Sequence, residues 1–214
     1  NADHNVFIGN ASGQGGTGEL KQSVAIGSLA LDNTGSADVI GAVAIGYNAL
    51  TAANNTNIDY SVAIGHSSLQ ALQSGQHNVG VGFQSLTSVN GGQFNVAMGS
   101  EASKFNVTGQ GNILMGYQAG RGAFGNSHTY NIGIGHQSLY AVTTGGYNIA
   151  IGANALGQNT VGSRSVAVGY GALTSHNPAT ASDTYNTAVG MLAGENVTTG
   201  TDNTLIGGLA GDAL

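Results

Sequence analysis

The chain has no cysteine, no tryptophan and one proline, and only 7 % of its 214 residues are charged. Without cysteine it has no disulfide, no thiolate metal site and no cysteine nucleophile. Four basic residues, Lys21, Lys104, Arg121 and Arg164, are too few to follow a nucleic-acid backbone or to form a polybasic membrane patch. No apolar run approaches the ~20 residues that cross a bilayer as a helix. We therefore expect no nucleic-acid partner and no membrane insertion.

Glycine, in contrast, is abundant, with 37 residues. Such a share disfavours a helical bundle, because glycine loses more backbone entropy in a helix than other residues do. Collagen is excluded, since glycine does not recur at every third position. A hydrophobic content of 41 % with few charges also argues against disorder.

A five-residue motif recurs twelve times: a small or polar residue, a β-branched residue, a mostly small residue, an aliphatic residue or methionine, and glycine. We count positions from this glycine, which is position 0. Position −3 is Val, Ile or Thr in every copy, position −1 is Ile, Val or Met, and position −2 is mostly Ala or Gly. This period-2 alternation predicts a strand. The motif glycines are spaced 17–21 residues apart, most often 17: Gly9, Gly27, Gly46, Gly65, Gly82, Gly99, Gly116, Gly135, Gly152, Gly169, Gly190 and Gly207.

A unit of 17 residues is too short for a helical repeat and fits one turn, or rung, of a β-solenoid. We predict an all-β parallel β-solenoid (β-roll) of about 12 rungs, on the order of 55 Å long at about 4.8 Å per rung. It would form a single repeat domain over residues 1–214, uncapped at both ends. A second short strand or extended segment is expected after the motif glycine.

The columns also predict what lies inside. We expect the large residues at −3 and −1 to fill the interior, and alanines such as Ala25 and Ala44 to form a face that another copy approaches closely. Closed association about an axis would bury that face, which favours a homotrimer. Asparagine at position −4 in eight copies predicts a column that satisfies turn backbone groups and its own neighbours.

The two ends carry no amphipathic cap or charged edge strand, and the sequence starts at Asn1 without methionine. We interpret it as a processed chain or an excised fragment. A bare terminal rung presents unpaired backbone groups. Either flanking domains have been removed, or copies stack end to end into a filament.

Several strings resemble the head repeats of YadA-like trimeric autotransporter adhesins: SVAIGSLAL, AVAIGYNAL, SVAIGHSSL, YNIAIGANAL and SVAVGYGAL. That resemblance implies a left-handed parallel β-roll that trimerises and binds host matrix or other cells, although the family's repeat is somewhat shorter. The runs YAVTTGGYNIAIGANAL (140–156) and SDTYNTAVGMLAGENVTTGTDNTLIGGLAG (182–211) are similar to repeats of phage tail-fibre and large bacterial surface proteins. The likeness covers nearly the whole chain and implies an extracellular location, at a cell or virion surface.

No residue pattern indicates catalysis, a metal site or a cofactor, so we expect a protein that is not an enzyme. His66 and His136 share position +1 but lie four rungs apart, roughly 19 Å, which is too far to share a metal ion. A threonine column suited to ice binding is interrupted by other residues, which argues against that function. Two acid pairs share a column on adjacent rungs and are interpreted as solvated turn acids: Glu19 with Asp38, and Glu195 with Asp212.

Position +1 is the most variable column and carries aromatic and histidine side chains that can stack on sugar rings or on a partner protein. Local corner packing is the alternative interpretation. The candidate surface contacts are Tyr47, His66, Phe83, Tyr117, His136 and Tyr170, together with Arg121 in the insertion 121–130. The insertions 51–60 and 174–185 are further candidate contact loops. Asn-X-Ser/Thr patterns make four asparagines possible glycosylation sites: Asn10, Asn54, Asn106 and Asn196.

The sequence thus predicts a non-enzymatic extracellular structural protein, a self-associating β-solenoid subunit of a surface fibre or filament with an adhesive role. The alternative prediction is the receptor-binding head of a trimeric adhesin or phage tail fibre that recognises a glycan or a protein.

Overall fold

The computed structural model describes residues 4–36, 38–52 and 58–212, and within these ranges the chain is all-β without a helix. Twelve three-residue strands form one parallel sheet, and two further pairs of two-residue strands form small sheets beside it. In chain order the strands are β1 (Val6–Ile8), β2 (Leu20–Lys21), β3 (Val24–Ile26), β4 (Val39–Ile40), β5 (Val43–Ile45), β6 (Val62–Ile64), β7 (Val79–Val81), β8 (Val96–Met98), β9 (Ile113–Met115), β10 (Ile132–Ile134), β11 (Ile149–Ile151), β12 (Gly162–Ser163), β13 (Val166–Val168), β14 (Ser182–Asp183), β15 (Thr187–Val189) and β16 (Thr204–Ile206).

Consecutive copies of the motif lie directly above one another. Between β5 and β6, for example, Val43 is the Cα partner of Val62 and Ile45 that of Ile64. The same motif positions pair along the whole twelve-stranded sheet, and β2–β4 and β12–β14 pair in parallel between adjacent rungs. The predicted parallel β-solenoid is confirmed, with about 11 turns and strands ~18 residues apart.

The interior is filled by the alanine column at position −2. Ala25, Ala44 and Ala63 are fully buried, whereas Ile64 is 37 % and Ile151 39 % exposed. The expectation that positions −3 and −1 fill the core, with the alanines facing a partner, is therefore wrong.

Leucines on the far side of the coil explain why the strand residue must be small. Position +4 points inward, and its leucines are fully buried: Leu31, Leu50, Leu69, Leu86, Leu139, Leu156 and Leu173. A coil of one narrow turn has close-packed space for this leucine and only a small residue opposite. The two larger β-branched side chains of each strand consequently face outward.

The segment after the motif glycine is a run of turns and not the predicted short strand. Its backbone enters the left-handed region at positions +2 and +4, as at Gln84 (φ 52°) and Leu86 (φ 50°). The segment still bonds to both neighbouring rungs, because Ser67 N donates to Tyr47 O over 2.9 Å and Leu69 N to Ser85 O over 3.0 Å. Stacking therefore supports a backbone that side chains with a Cβ adopt rarely.

Three rungs, those of Gly9, Gly116 and Gly207, have a large residue at position −2 and glycine at +4, and the rung of Gly116 lies in the middle of the rod. At position −2 it has Leu114 in place of alanine, and at +4 it has Gly120 in place of leucine. A Cβ on Gly120 would lie 2.5 Å from Leu114 Cδ1, and one on Gly133 in the next rung 2.8 Å from Leu114 Cδ2. The strand leucine thus occupies the space that the position +4 leucine fills elsewhere, and a side chain on either glycine would displace it.

The asparagine column at position −4 forms the predicted ladder. Asn131 Oδ1 accepts hydrogen bonds from the backbone N and the Nδ2 of Asn148, over 3.0 and 3.2 Å. Asn131 Nδ2 donates to Gly145 O over 2.9 Å. The same pattern recurs at Asn78, Asn95 and Asn112, so each asparagine links its rung to the next and satisfies a turn carbonyl.

Candidate functional site

The outer face of the large sheet is the most distinctive surface of the rod. We define this outer face as positions −5, −3, −1 and +1 of each rung. Its two central columns are β-branched or aliphatic, and they reach 37–40 % exposure at Ile64, Met98, Ile113, Ile134 and Ile151. The face is a continuous apolar strip about 53 Å long at ~4.8 Å per rung. Strips of that extent are unusual on a monomer and are typical of interaction surfaces.

The predicted contact residues at position +1 line one side of this strip. His66 lies between Tyr47 and Phe83, with ring centroids 5.1 and 5.4 Å away. Further along, Tyr117 and His136 stack at 5.4 Å. Tyr170, which is 55 % exposed, stands two rungs beyond His136. The structure thus groups five of the six predicted column residues into two short ring stacks.

A second aromatic ladder, which the sequence reasoning missed, lines the other side of the strip at position −5. His77 stacks between Tyr60 and Phe94, with centroids 5.4 Å apart on both sides and interplanar angles of 10° and 7°. Tyr130 and Tyr147 follow at 5.1 Å. Their constant distance from the motif glycine is a signal that was present in the sequence.

Charge is almost absent from the outer face. In its four columns only Arg164 and Asp202 carry a formal charge, although the chain has a net charge of −6. Copies of this chain can therefore approach through the outer face with little like-charge repulsion.

Arg121, the predicted cationic contact, belongs to a charged cluster away from the outer face. Its Nε lies 3.1 Å from Glu101 Oε2, and its guanidinium lies over the rings of Phe105 and Tyr140 at 4.7 and 5.7 Å. Lys104 Nζ lies 2.7 Å from Glu101 Oε1. Hydrogen bonds from Lys104 and then from Gln118 lower the pKa of the Glu101 carboxyl to about 2. These partners orient Arg121 within the rod.

Other charged residues form ion pairs and hydrogen bonds with neighbouring residues of the rod. Lys21 pairs with Glu19 over 2.6 Å, and Arg164 with Asp183 over 2.9 Å. Asp38 accepts the backbone N–H of Glu19 over 2.9 Å. In the other predicted acid pair, Asp212 accepts a hydrogen bond from Asn196 Nδ2 over 2.9 Å. Within the described ranges no three His, Asp or Glu side chains are grouped to hold a metal ion.

Of the three insertions, 121–130 presents the most prominent side chain. Phe124 is 82 % exposed and makes an edge contact with Phe105 at a centroid distance of 6.1 Å. Phe124 lines a shallow groove together with Gln70, Thr87 and Asn90. In 174–185, Tyr185 Oη donates to Asp183 over 3.2 Å. Residues 53–57 of the insertion 51–60 lie outside the described ranges.

The four candidate glycosylation sites differ in accessibility. Asn10 and Asn196 are exposed, and Asn54 lies outside the described residues. Asn106 is 1 % exposed, with Oδ1 accepting the backbone N–H of Gly109 over 3.0 Å. The folded chain has no room for a glycan on Asn106, which conflicts with that prediction.

In comparisons with known proteins, no family model, no curated protein and no solved structure matches the chain. The described part of the chain contains no helix with the length and hydropathy needed to cross a bilayer.

Proposed function

We propose that this chain is a non-enzymatic structural protein that self-associates through its outer face, as a solenoid subunit of an extracellular fibre or filament with an adhesive role. The observation that carries the proposal is the outer face, which has only two charged residues and whose two central columns of β-branched or aliphatic side chains run the length of the rod. A sheet face of this kind gains stability when a second such face covers it. The resemblance to adhesin head repeats and tail-fibre repeats also favours a homotrimer at a cell or virion surface.

The sizes of the flanking side chains support a parallel, in-register assembly. In a ring of parallel copies, position −5 of one chain faces position +1 of the next at the same height. Four rungs pair a large ring at one of these positions with a small residue at the other: Gly41 with Tyr47, Phe94 with Ser100, Gly111 with Tyr117, and Tyr147 with Ala153. Other rungs pair an aromatic ring with histidine or arginine, which are favourable stacking partners: Tyr60 with His66, His77 with Phe83, Tyr130 with His136, and Arg164 with Tyr170.

Replacing Ile134 with lysine is expected to dissociate the assembly. The substitution places a charge in the centre of the strip, where a partner would desolvate it, so we expect the dissociation constant to rise by at least about 100-fold. Native mass spectrometry checks this by comparing the trimer with a single chain of 21.2 kDa. Gln158→Lys, at an exposed residue outside the outer face, is the matched control and should leave the assembly intact. A wild-type protein that stays monomeric at every concentration would refute self-association.

Cysteine cross-linking tests the arrangement, since the chain has no cysteine of its own. Phe94→Cys and Ser100→Cys together place thiols at positions −5 and +1 of one rung. Strand β8 (Val96–Met98) lies between them and alone extends about 10 Å, more than the ~7 Å between Cα atoms that a disulfide can span, so a disulfide must join two chains. We expect oxidation to give covalent trimers from the double variant and uncross-linked chains from either single variant. Dimers from the single variants would instead indicate an antiparallel pairing.

The alternative function is a receptor-binding head. The groove beside Phe124 favours it, because an exposed ring next to amide and hydroxyl side chains is suited to binding sugars. A glycan array with the wild-type chain and Phe124→Ala distinguishes the two functions. Binding that Phe124→Ala abolishes would support a receptor-binding head, and a blank array together with long filaments in negative stain would support the fibre.

A further inference from the structure

The apolar core of the rod is interrupted near its middle. Buried apolar side chains form two separate clusters, one running from Ala25 to Ala102 and the other from Leu114 to Val197. The rung of Gly99 lies at the boundary and breaks two inner columns. It has Ser103 at position +4, where seven rungs have leucine, and Asn106 at position +7, where the preceding rung has Val89.

These two polar side chains are incompletely paired. Ser103 and Asn106 are 0 % and 1 % exposed. Ser103 Oγ and Asn106 Nδ2 have no hydrogen-bond partner, whereas Asn106 Oδ1 accepts from Gly109 N. Buried polar atoms without partners destabilise the folded state, so this rung is weaker than its neighbours.

His128 adds a third buried polar side chain, in the rung of Gly135. It occupies position −7, which is glycine in six other rungs, and its side chain is 1 % exposed. Its Nε2 lies 3.1 Å from Gly120 O and its Nδ1 3.3 Å from Asn112 Oδ1. Asn112 Oδ1 already accepts from Asn131 N over 3.0 Å, which fixes it as an acceptor. A neutral imidazole has one N–H and can donate to only one of these two oxygens, so its other nitrogen faces an oxygen with a lone pair. A protonated ring could donate to both oxygens but would be a buried charge.

The groups that face the ring carry no charge. Asn112 and Gly120 belong to the rung of Gly116, which stacks on that of Gly99, and Gly122 follows Gly120 in the chain. The charged residues of these rungs, Glu101, Lys104 and Arg121, pair with one another. Full burial lowers the pKa of His128 to about 4, whereas the pKa of Glu101, about 2, keeps that cluster ionised in mild acid.

We propose that Ser103, Asn106 and His128 form a polar joint at which the rod is divided into two units that unfold separately, and that acid opens this joint first. The inference is independent of self-association, because it concerns contacts inside one chain. It gives the rod a defined weak point between the two apolar clusters.

The sign of the acid effect follows from linkage. The unfolded histidine has a pKa of 6.5 and the folded one about 4, so the contribution of the neutral ring is complete above pH 6.5. It is lost as the pH falls from 6.5 towards 4. Between pH 7 and pH 5 the opening equilibrium of the joint is expected to rise roughly 20-fold.

Hydrogen exchange followed by mass spectrometry, on the full chain at pH 7 and pH 5, tests the proposal. After correction for intrinsic rates, amides of residues 109–131 should lose roughly 20-fold in protection. Amides of β5 and β6 should change much less. Equal loss along the whole chain, or no loss at the joint, would overturn the proposal.

Three variants identify the cause. His128→Gln removes the titrating group and should abolish the pH response of residues 109–131. His176→Gln is the control, since burial also lowers the pKa of His176 but it lies outside the joint and should leave that response unchanged. Asn106→Val introduces the residue of the preceding rung and should protect the joint at both pH values, so that denaturant gives one transition in place of two. If Asn106→Val still unfolded in two denaturant transitions, as far apart as those of the wild-type chain, the result would contradict the proposal.

Discussion

Gly116→Ala is expected to break the stack at its rung and to lower the free energy of unfolding by more than about 4 kcal/mol. Gly116 has φ +135°, and a Cβ there would lie 2.4 Å from Gly135 O and 2.7 Å from Gly135 C. The obstacle is the backbone of the next rung, which cannot retreat because Gly135 N donates to Met115 O over 2.8 Å. Relief of the clash therefore requires loss of ladder hydrogen bonds.

Two other glycines separate the contributions of backbone strain and clash. Gly207 has a similar φ of +128°, but the nearest atom to its Cβ would be 4.0 Å away, so Gly207→Ala should cost about 1–3 kcal/mol from strain alone. Gly91 lies outside the left-handed region, with Ser74 Oγ 3.4 Å from a Cβ, and Gly91→Ala should be nearly neutral. Urea denaturation followed by circular dichroism measures all three. Equal effects of Gly116→Ala and Gly207→Ala would show that the clash is unimportant.

Leu114→Ala and Gly120→Leu are each expected to destabilise the rod, and their combination to restore most of the loss. Leu114→Ala empties core volume and should cost about 3 kcal/mol. Gly120→Leu places a second leucine where Leu114 already lies and should cost at least about 2 kcal/mol. The double variant has alanine at −2 and leucine at +4, as the rung of Ala150 and Leu156 does. Leucine fits that backbone, because Gly120 has φ 56° and Leu156 φ 48°.

A double-mutant cycle measures this compensation directly. The coupling energy between the two substitutions should exceed about 2 kcal/mol in the favourable direction. Gly133 remains without a side chain in the double variant, and adding Gly133→Ala should then recover further stability by filling the space that Leu114 left. Additive losses in the double variant would mean that the two residues do not share one space.

Periodicity predicted those features of the fold that depend on spacing alone. The recurring motif fixed the strands and their register, because identical columns pair in every parallel neighbour such as β5 and β6. The Asn131 ladder was predictable for the same reason, since a side-chain amide repeated at one rung height can bond to its own copy. The repeated register of position +1 likewise brought Tyr47, His66 and Phe83 together.

Which face of the strand is inside was not decided by alternation. Period 2 separates Ala44 from Val43 and Ile45, but it leaves open which set faces the core. The answer came from volume, since Leu50 at position +4 already fills the narrow coil. The ladder at position −5 was overlooked although its spacing is regular. His128 was harder to foresee, because six other rungs have glycine at position −7 and the pattern gave no sign that a ring would be buried there.

The left-handed residues have a consequence for how the chain folds. Every rung has such residues, including leucines like Leu69 (φ 50°), and each is unfavourable by about 1–2 kcal/mol in an isolated segment. A lone rung cannot offset that strain, because its backbone groups bond mainly to the rungs on either side. A formed rung, however, presents a template on which the next segment finds its partners at once. Folding of the rod is therefore nucleated: the first pair of rungs forms slowly, and each further rung adds rapidly to a formed one.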